Sequence, residues 1–221
     1  MKILNLYSGI GGNRRLWGDE HSITAVELNP KIAKIYQDFF PEDKVIVADA
    51  HQYLLEHFSE FDFIWNSPPC PSHSKLNTMN SLSPYKDNSA QLKNGGGIPP
   101  RFPDMKLYEE IIFLKHFFKG KWCVENVVSY YKPLISPQKI QRHYFWTNFH
   151  IAYRDFSCDD ITSRGNKNRA QKLGIDINKY KIRARKDTIL RNCVNPHLGL
   201  HILEASKRNE YQDLFNKKEK I

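Results

Sequence analysis

Asn66-Ser67-Pro68-Pro69-Cys70-Pro71-Ser72-His73-Ser74 follows the apolar run Phe61–Trp65. A short continuous apolar run reads as a strand buried on both faces. The two prolines end it, because proline has no N–H for the ladder and holds the preceding residue extended. The chain therefore leaves a sheet here on a stiff path with a cysteine at its tip. In an open α/β sheet, ligands and chemistry gather beyond the carboxyl ends of the strands. A Pro-Pro-Cys turn by itself is commonly only a turn, so the neighbouring segments decide its meaning.

Upstream, three strands each end on a polar or glycine-rich turn. Ile3–Tyr7 opens into Ser8-Gly9-Ile10-Gly11-Gly12 and a helix start at Asn13–Trp17. Glycines after a first strand let the backbone approach a ligand, with helix N–H groups facing it. The dinucleotide fingerprint is incomplete, since Arg14 stands where its third glycine belongs, and no Gly-Lys-Ser/Thr of a phosphate loop follows. Ile23–Glu27 ends on an acid. Asn29 caps and Pro30 begins the helix that follows, through Phe39. Glu27 is either a surface acid at a strand end or an acceptor for both hydroxyls of a ribose, and the preceding glycine loop favours the second. Val45–Ala48 leads to Asp49, which caps the helix Ala50–His57, accepts from an exocyclic amine such as that of adenine, or does both.

Downstream of Cys70, Lys75–Pro103 is rich in Ser, Asn, Pro and Gly, as in Asn94-Gly95-Gly96-Gly97, and has no period. Loops of this length are lids or disordered segments. Asp104 caps an amphipathic helix over Met105–Phe118, whose aromatics read as core. Gly120-Lys121 turns into a strand Trp122–Val124 followed by Glu125-Asn126-Val127, a second acid at a strand tip on the edge that carries Cys70. Cysteine and glutamate from adjacent strands form a plausible nucleophile and proton donor. A strand Tyr144–Ile151, a short helix Asn168–Leu173 ended by Gly174, and an apolar helix His197–Ala205 after Asn195-Pro196 complete the reading, with a charged tail Lys207–Ile221 as a frayed helix. No internal repeat is present.

The 221 residues, 40% apolar and 13% aromatic, suit one sizeable core. No run is apolar enough to span a bilayer, and the start MKILNLYSG is no signal peptide, so little seems trimmed from it. Cys70, Cys123, Cys158 and Cys193 include no C-x-x-C pair, which disfavours structural zinc and fits reduced thiols in a cytosolic chain. The formal net charge is +9. From His150 to Arg191 eleven Lys/Arg face five Asp/Glu, a basic segment that suits a polyanion such as nucleic acid or a plain solvated surface.

Taken in order, these motifs resemble those of the cytosine-5 DNA methyltransferase family, from about residue 3 to 203. Leu6-Tyr7-Ser8-Gly9-Ile10-Gly11-Gly12 is similar to the first motif, Pro68-Pro69-Cys70 to the nucleophile loop, Glu125-Asn126-Val127 to the ENV motif, Gln138-Lys139-Ile140-Gln141-Arg142 to the Q-x-R-x-R motif, and Asn192-Cys193-Val194 to the late motif closing the cofactor pocket. The resemblance implies a Rossmann-like α/β fold, a mixed and mostly parallel sheet with helices on both faces. It implies a catalytic domain over 1–149, a short basic recognition region over 150–190 and a returning segment over 191–221.

It further implies S-adenosyl-L-methionine as cofactor, held by Tyr7, Ser8, Gly9, Ile10, Gly11, Gly12, Glu27, Leu28, Asp49, Ala50, Pro69, Asn192 and Val194. Cys70, Glu125 and Arg142 become the catalytic set, with no metal. Cys70 attacks cytosine C6, Glu125 donates to N3 and Arg142 steadies O2. Nucleic-acid contacts fall on Ser74, Arg164, Lys167, Arg169, Arg183 and Arg185, with Lys181 and Lys186 nearby. The implied partner is double-stranded DNA, with a cognate restriction endonuclease or a partner subunit beside it and no membrane, in the cytoplasm of a bacterium or encoded by a phage.

Three departures stand out. Pro71 replaces the family's Gln after the cysteine, Ile140 replaces the first arginine, and the region between Arg142 and Asn192 is short. They leave two other readings open: a tRNA cytosine-5 methyltransferase, and a non-catalytic nucleic-acid-binding module on the same fold.

Overall fold

A computed structural model describes residues 1–74, 102–156, 170–171, 173–174, 176–182 and 186–208. Among the described residues seven strands form one sheet: β1 Lys2–Leu6, β2 Ser22–Val26, β3 Lys44–Ile46, β4 Phe63–Asn66, β5 Lys121–Val127, β6 Gln138–Ile140 and β7 His143–Thr147. Their spatial order is β3-β2-β1-β4-β5-β7-β6. The first five run parallel, and β7 is antiparallel to both β5 and β6. This is the expected Rossmann-like, mostly parallel α/β sheet. The chain winds outward from β1 to β3, then crosses back to β4, so the order reverses between β1 and β4. That crevice at the strand carboxyl ends is where such sheets bind ligands.

The central strands are apolar on both sides because helices cover both faces. Side chains alternate across the sheet. Ile3, Phe63, Trp65 and Cys123 point to one face and pack with Trp17, the residue that caps the 3-10 turn Asn13–Leu16, and with Leu198 and Ile202. Leu4, Ile64, Trp122 and Val124 point to the other and pack with Leu54, Ile111 and Leu114. The helices among the described residues include α1 Pro30–Phe39, α2 Ala50–His57, α3 Lys106–Phe117, α4 Lys186–Arg191 and α5 Pro196–Lys207, of which α2, α3 and α5 supply these contacts. The expected caps are present at α1, where Asn29 Oδ1 accepts from Lys31 N–H at 3.0 Å, and at α2, where Asp49 Oδ1 accepts from Gln52 N–H at 3.0 Å. Asn195 does the same for α5.

Several elements differ from the sequence reading. β5 is longer than Trp122–Val124 and contains Glu125-Asn126-Val127, because β7 extends its ladder out to Val127 opposite His143. The strand expected at Tyr144–Ile151 begins at His143 and ends at Thr147, where Thr147 and Phe149 turn the chain by a hydroxyl-to-carbonyl bond. Gln138–Ile140 is a strand, and Gln141-Arg142 is the two-residue turn joining it to β7, with Gln141 at φ +52°. Asp104 accepts from Lys106 N–H, but Met105 is the residue at the cap position before α3. α4 lies where no element was read. Most of the loop over 75–103 and of the tail after 207, and part of the helix at 168–173, lie outside the described residues.

Arg14 explains the missing third glycine. Its guanidinium is buried and bonds Asp43 twice, at 2.9 and 3.1 Å, while Tyr36 Oη donates to the same carboxylate at 2.8 Å. The residue ties the first turn to the end of α1, and a bidentate, hydrogen-bonded pair is the form in which buried charge is tolerated.

Candidate active site

The carboxyl ends of β1, β2, β4 and β5 and the start of α2 surround a cavity of about 530 Å³. Registers Leu6↔Val26, Leu6↔Asn66 and Asn66↔Val124 bring these strand ends level, so motifs far apart in sequence meet on one edge.

The glycine loop forms its floor. Tyr7 adopts φ +53° and Gly9 φ +56°, which folds the loop back under the cavity. Glu27 holds it there: Oε2 accepts from Gly9 N–H at 3.1 Å and Oε1 from Asn29 N–H at 2.8 Å. Gly12 has a different task. A Cβ there would lie 2.7 Å from Cys193 Cβ and 2.8 Å from Val194 O. Glycine thus lets Asn192-Cys193-Val194 close against the loop and complete the wall. Tyr7 Oη donates to the fully buried Glu110 at 2.6 Å, and Glu110 also meets His51 Nδ1 at 2.9 Å and accepts from Asn66 Nδ2 at 2.8 Å. Burial and Glu110 push the Tyr7 phenol far up, so it stays a proton donor.

Twelve of the thirteen residues expected to hold a cofactor line this cavity: Tyr7, Ser8, Gly9, Ile10, Gly12, Glu27, Leu28, Asp49, Ala50, Pro69, Asn192 and Val194. Leu28 is 67% exposed and stands at the mouth. Gly11 is the exception. A Cβ there would run into Phe40 and Tyr36, so it faces α1 rather than the cavity. The residues fit a nucleoside with an amino-acid arm. Glu27 and Asp49 offer acceptors, Ile10 and Ile32 apolar walls, and Asn5 Nδ2 and Ser8 Oγ are buried polar atoms for which the described residues supply no hydrogen-bond partner.

Cys70 lines the same cavity, half-buried and free. Its loop is held at several points. Asn126 Nδ2 donates to Pro68 O at 3.1 Å, His73 and Ser74 N–H both return to Cys70 O at 3.0 Å, and Ser74 bridges to Ser129. His73, 1% exposed, sits 2.6 Å from Tyr131 Oη through Nδ1, and burial lowers its basicity. Glu125 also lines the cavity and is 7% exposed. Burial first, and then the charge of Glu125, push the Cys70 thiol up. The two groups expected to act together therefore line one cavity.

Arg142 does not join them. It is exposed at the tip of the Gln141-Arg142 turn and lines no part of the cavity. A two-residue hairpin turn projects away from its sheet, which is why the motif arginine points outward. His143, one residue on, faces Glu125 instead, with Nδ1 at 2.6 Å from Oε1. Ser74 lies outside the cavity lining in its bridge to Ser129. Arg164, Lys167, Arg169, Arg183, Arg185 and Cys158 fall outside the described residues. Lys186 donates to Asn178 O, and Lys181 is exposed. Among the described residues no helix is long and apolar enough to cross a membrane, and no cluster of His, Cys, Asp or Glu is gathered for a metal.

Sequence reasoning missed His143, His51, His73 and Glu110. Their signal is only spatial, since each acquires its partner across the fold.

The family model described as C-5 cytosine-specific DNA methylase matches residues 1–89. A tRNA (cytosine(38)-C(5))-methyltransferase of Rattus norvegicus is 26% identical over 95 residues, 40% of this chain and 24% of that protein. The Spodoptera frugiperda protein of the same name is 35% identical over 75 residues, 31% of this chain and 23% of that one. The matched part thus spans about a quarter of these relatives' length. A solved structure of a Spodoptera frugiperda DNMT2 mutant is 27% identical with a TM-score of 0.35, over 57% of this chain and 35% of that one.

Proposed function

We propose that the chain is an S-adenosylmethionine-dependent cytosine-5 methyltransferase, with DNA as its acceptor and Cys70 as its nucleophile. The observation that carries this reading is that Cys70 and Glu125, from the ends of β4 and β5, line the same cavity as Glu27, Asp49 and the glycine loop. A nucleophile, an acid and a nucleoside-shaped site then share one space.

Cytosine C5 is weakly nucleophilic. Thiolate addition at C6 makes C5 enamine-like, and thiolate is the side-chain nucleophile best suited to this near neutral pH. Glu125 donates to N3 as the ring gains electron density. When bound, S-adenosylmethionine supplies the electrophilic methyl group. Loss of the C5 proton to solvent then expels Cys70. Glu27 and Asp49 hold the nucleoside end of the donor, while Asn5 and Ser8 take its polar arm. Asn126, His73 and Ser74 keep the Cys70 loop against the cavity. The base must leave its stack to reach this pocket, which costs about a few kcal/mol, and the basic segment over 150–190 offsets part of that through phosphates.

A second reading has its own support: the matched relatives are named as tRNA cytosine methyltransferases, so tRNA is the alternative acceptor. Tritiated methyl transfer from S-adenosylmethionine to duplex DNA and to tRNA, run in parallel with Cys70→Ser, decides both points. Transfer to DNA that vanishes in Cys70→Ser supports the proposal. Transfer to tRNA alone replaces the acceptor, and full activity of Cys70→Ser removes the mechanism.

A further inference from the structure

Glu125 has a partner that its motif does not disclose. Glu125 stands opposite Phe145 in the β5–β7 ladder, and His143 precedes Phe145 by two residues. Period-two alternation puts His143 and Phe145 on the face of β7 that meets the Glu125 side chain, a diagonal cross-strand pair. The contact is short, 2.6 Å from Nδ1 to Oε1, and both side chains are largely enclosed, at 15% and 10% exposure. Both residues line the cavity that holds Cys70. His143 is in register with Ile140 across the hairpin and with Val127 across the ladder, and the Phe145 ring lies 6.2 Å from its own. Arg142, which the motif would place here, is carried away on the turn.

We propose that His143 is the positioning residue for Glu125. This rests on the methyltransferase reading above. The imidazole Nδ1–H donates to Oε1, which leaves Oε2 as the oxygen that carries the acidic proton to the pyrimidine. When the Cys70 thiolate adds to C6, the new S–C bond takes the thiolate pair, and the C5–C6 double-bond pair moves into the ring. N3 takes its proton from Oε2, and the O–H pair stays on Glu125. The carboxylate so formed keeps the Nδ1–H bond, which is stronger to an anion than to a neutral acid. Expulsion of Cys70 runs the same proton back to Oε2. His143 therefore favours the adduct over the open state, and it does so without touching the base.

The test uses the full chain and steady-state methyl transfer to the acceptor found above. His143→Leu removes the donor. It should lower kcat by roughly 10- to 100-fold, as expected for losing one buried charge-assisted hydrogen bond in the adduct, with KM for S-adenosylmethionine within about twofold. His143→Asn places an amide N–H near the Nδ1 position and should recover most of the lost kcat. Added imidazole should raise kcat of His143→Ala but leave the wild type alone. A purely structural role would predict neither recovery. Wild-type kcat in His143→Leu, or no gain from either asparagine or imidazole, overturns the assignment while leaving the methyltransferase reading intact. A wild-type chain with no transfer to DNA or tRNA overturns that reading, and this assignment with it.

Discussion

Replacing Gly12 with alanine isolates the seam between the glycine loop and the returning segment. The added Cβ would sit 2.7 Å from Cys193 Cβ and 2.8 Å from Val194 O. Neither neighbour is the free end of a flexible side chain. Cys193 is buried and Val194 O is backbone, so the segment over 192–194 must move away from the loop. Overpacking of this kind costs about 1–3 kcal/mol. For a chain of this size that is a drop of roughly 2–12 °C in Tm, at about 2–4 °C per kcal/mol. Asn192 and Val194 are also cavity wall, so cofactor affinity falls with the seam. If the whole cost is felt on binding, Kd for S-adenosylhomocysteine rises by about 5- to 150-fold. Differential scanning calorimetry and isothermal titration measure the two effects. Gly9→Ala is the matched control: no atom lies within 4 Å of its Cβ, and the strain comes only from φ +56°. It should cost about 1–2 kcal/mol of stability without moving the 192–194 wall. A Gly12→Ala chain with unchanged Tm and unchanged Kd would refute the seam and the close packing on which it rests.

Thiol chemistry gives a second check. Of Cys70, Cys123 and Cys193, only Cys70 is partly exposed, and burial pushes Cys193 up to about 12 and Cys123 well above its ordinary value. Iodoacetamide on the native chain, read by peptide mass spectrometry, should label Cys70 first among these three. Its rate should still be climbing above pH 9, because burial and Glu125 both disfavour the thiolate. Glu125→Gln removes the negative charge, lowers the thiol pKa and shifts that curve to lower pH, even as methyl transfer falls. Arg14→Met strands the buried Asp43 carboxylate and should destabilise the fold by about 3–5 kcal/mol in urea unfolding, while the pair of changes Arg14→Met and Asp43→Leu should recover part of it. Arg142→Ala should lower kcat less than His143→Leu does, since its side chain is at the turn and not in the cavity.

The sheet was legible because its strands are apolar on both faces and each ends on a signal the chain itself supplies. Glycines end β1, Glu27 ends β2, Asp49 follows β3, and Pro68-Pro69 ends β4. Caps at Asn29 and Asp49 could be read for the same reason, since a cap is a local bond between a side chain and the turn it begins. The extent of β5 could not be read. Glu125-Asn126-Val127 pairs in the ladder only because β7 runs alongside it, and that pairing joins residues about 20 apart across a connection that includes β6 and a β6–β7 turn without glycine. α4 was equally hidden: it is short, and Ile189 and Leu190 find their cover on Ile10 and Ile35, far upstream.

The candidate site divides along the same line. Cavity-lining residues placed by their own turn, such as Glu27, Asp49 and the glycine loop, announce themselves by position after a strand. Those acting through a partner across the fold do not. Motif order put a cation on Arg142, yet the fold turns on a one-residue difference. Gln141-Arg142 closes the hairpin, so residue 142 leaves the sheet, and strand alternation delivers residue 143 to the Glu125 face. Lengthening that turn by one residue therefore makes a sharp claim. An insertion between Gln141 and Arg142 that keeps the Ile140↔His143 pairing should leave the Glu125 contact in place and preserve kcat within about threefold, because loop length itself costs little. An insertion within β7, between His143 and Tyr144, shifts the register by one and turns His143 to the opposite face. It should lower kcat as far as His143→Leu does. Equal activity in the two insertions would mean that the hairpin does not set which side chain meets the acid.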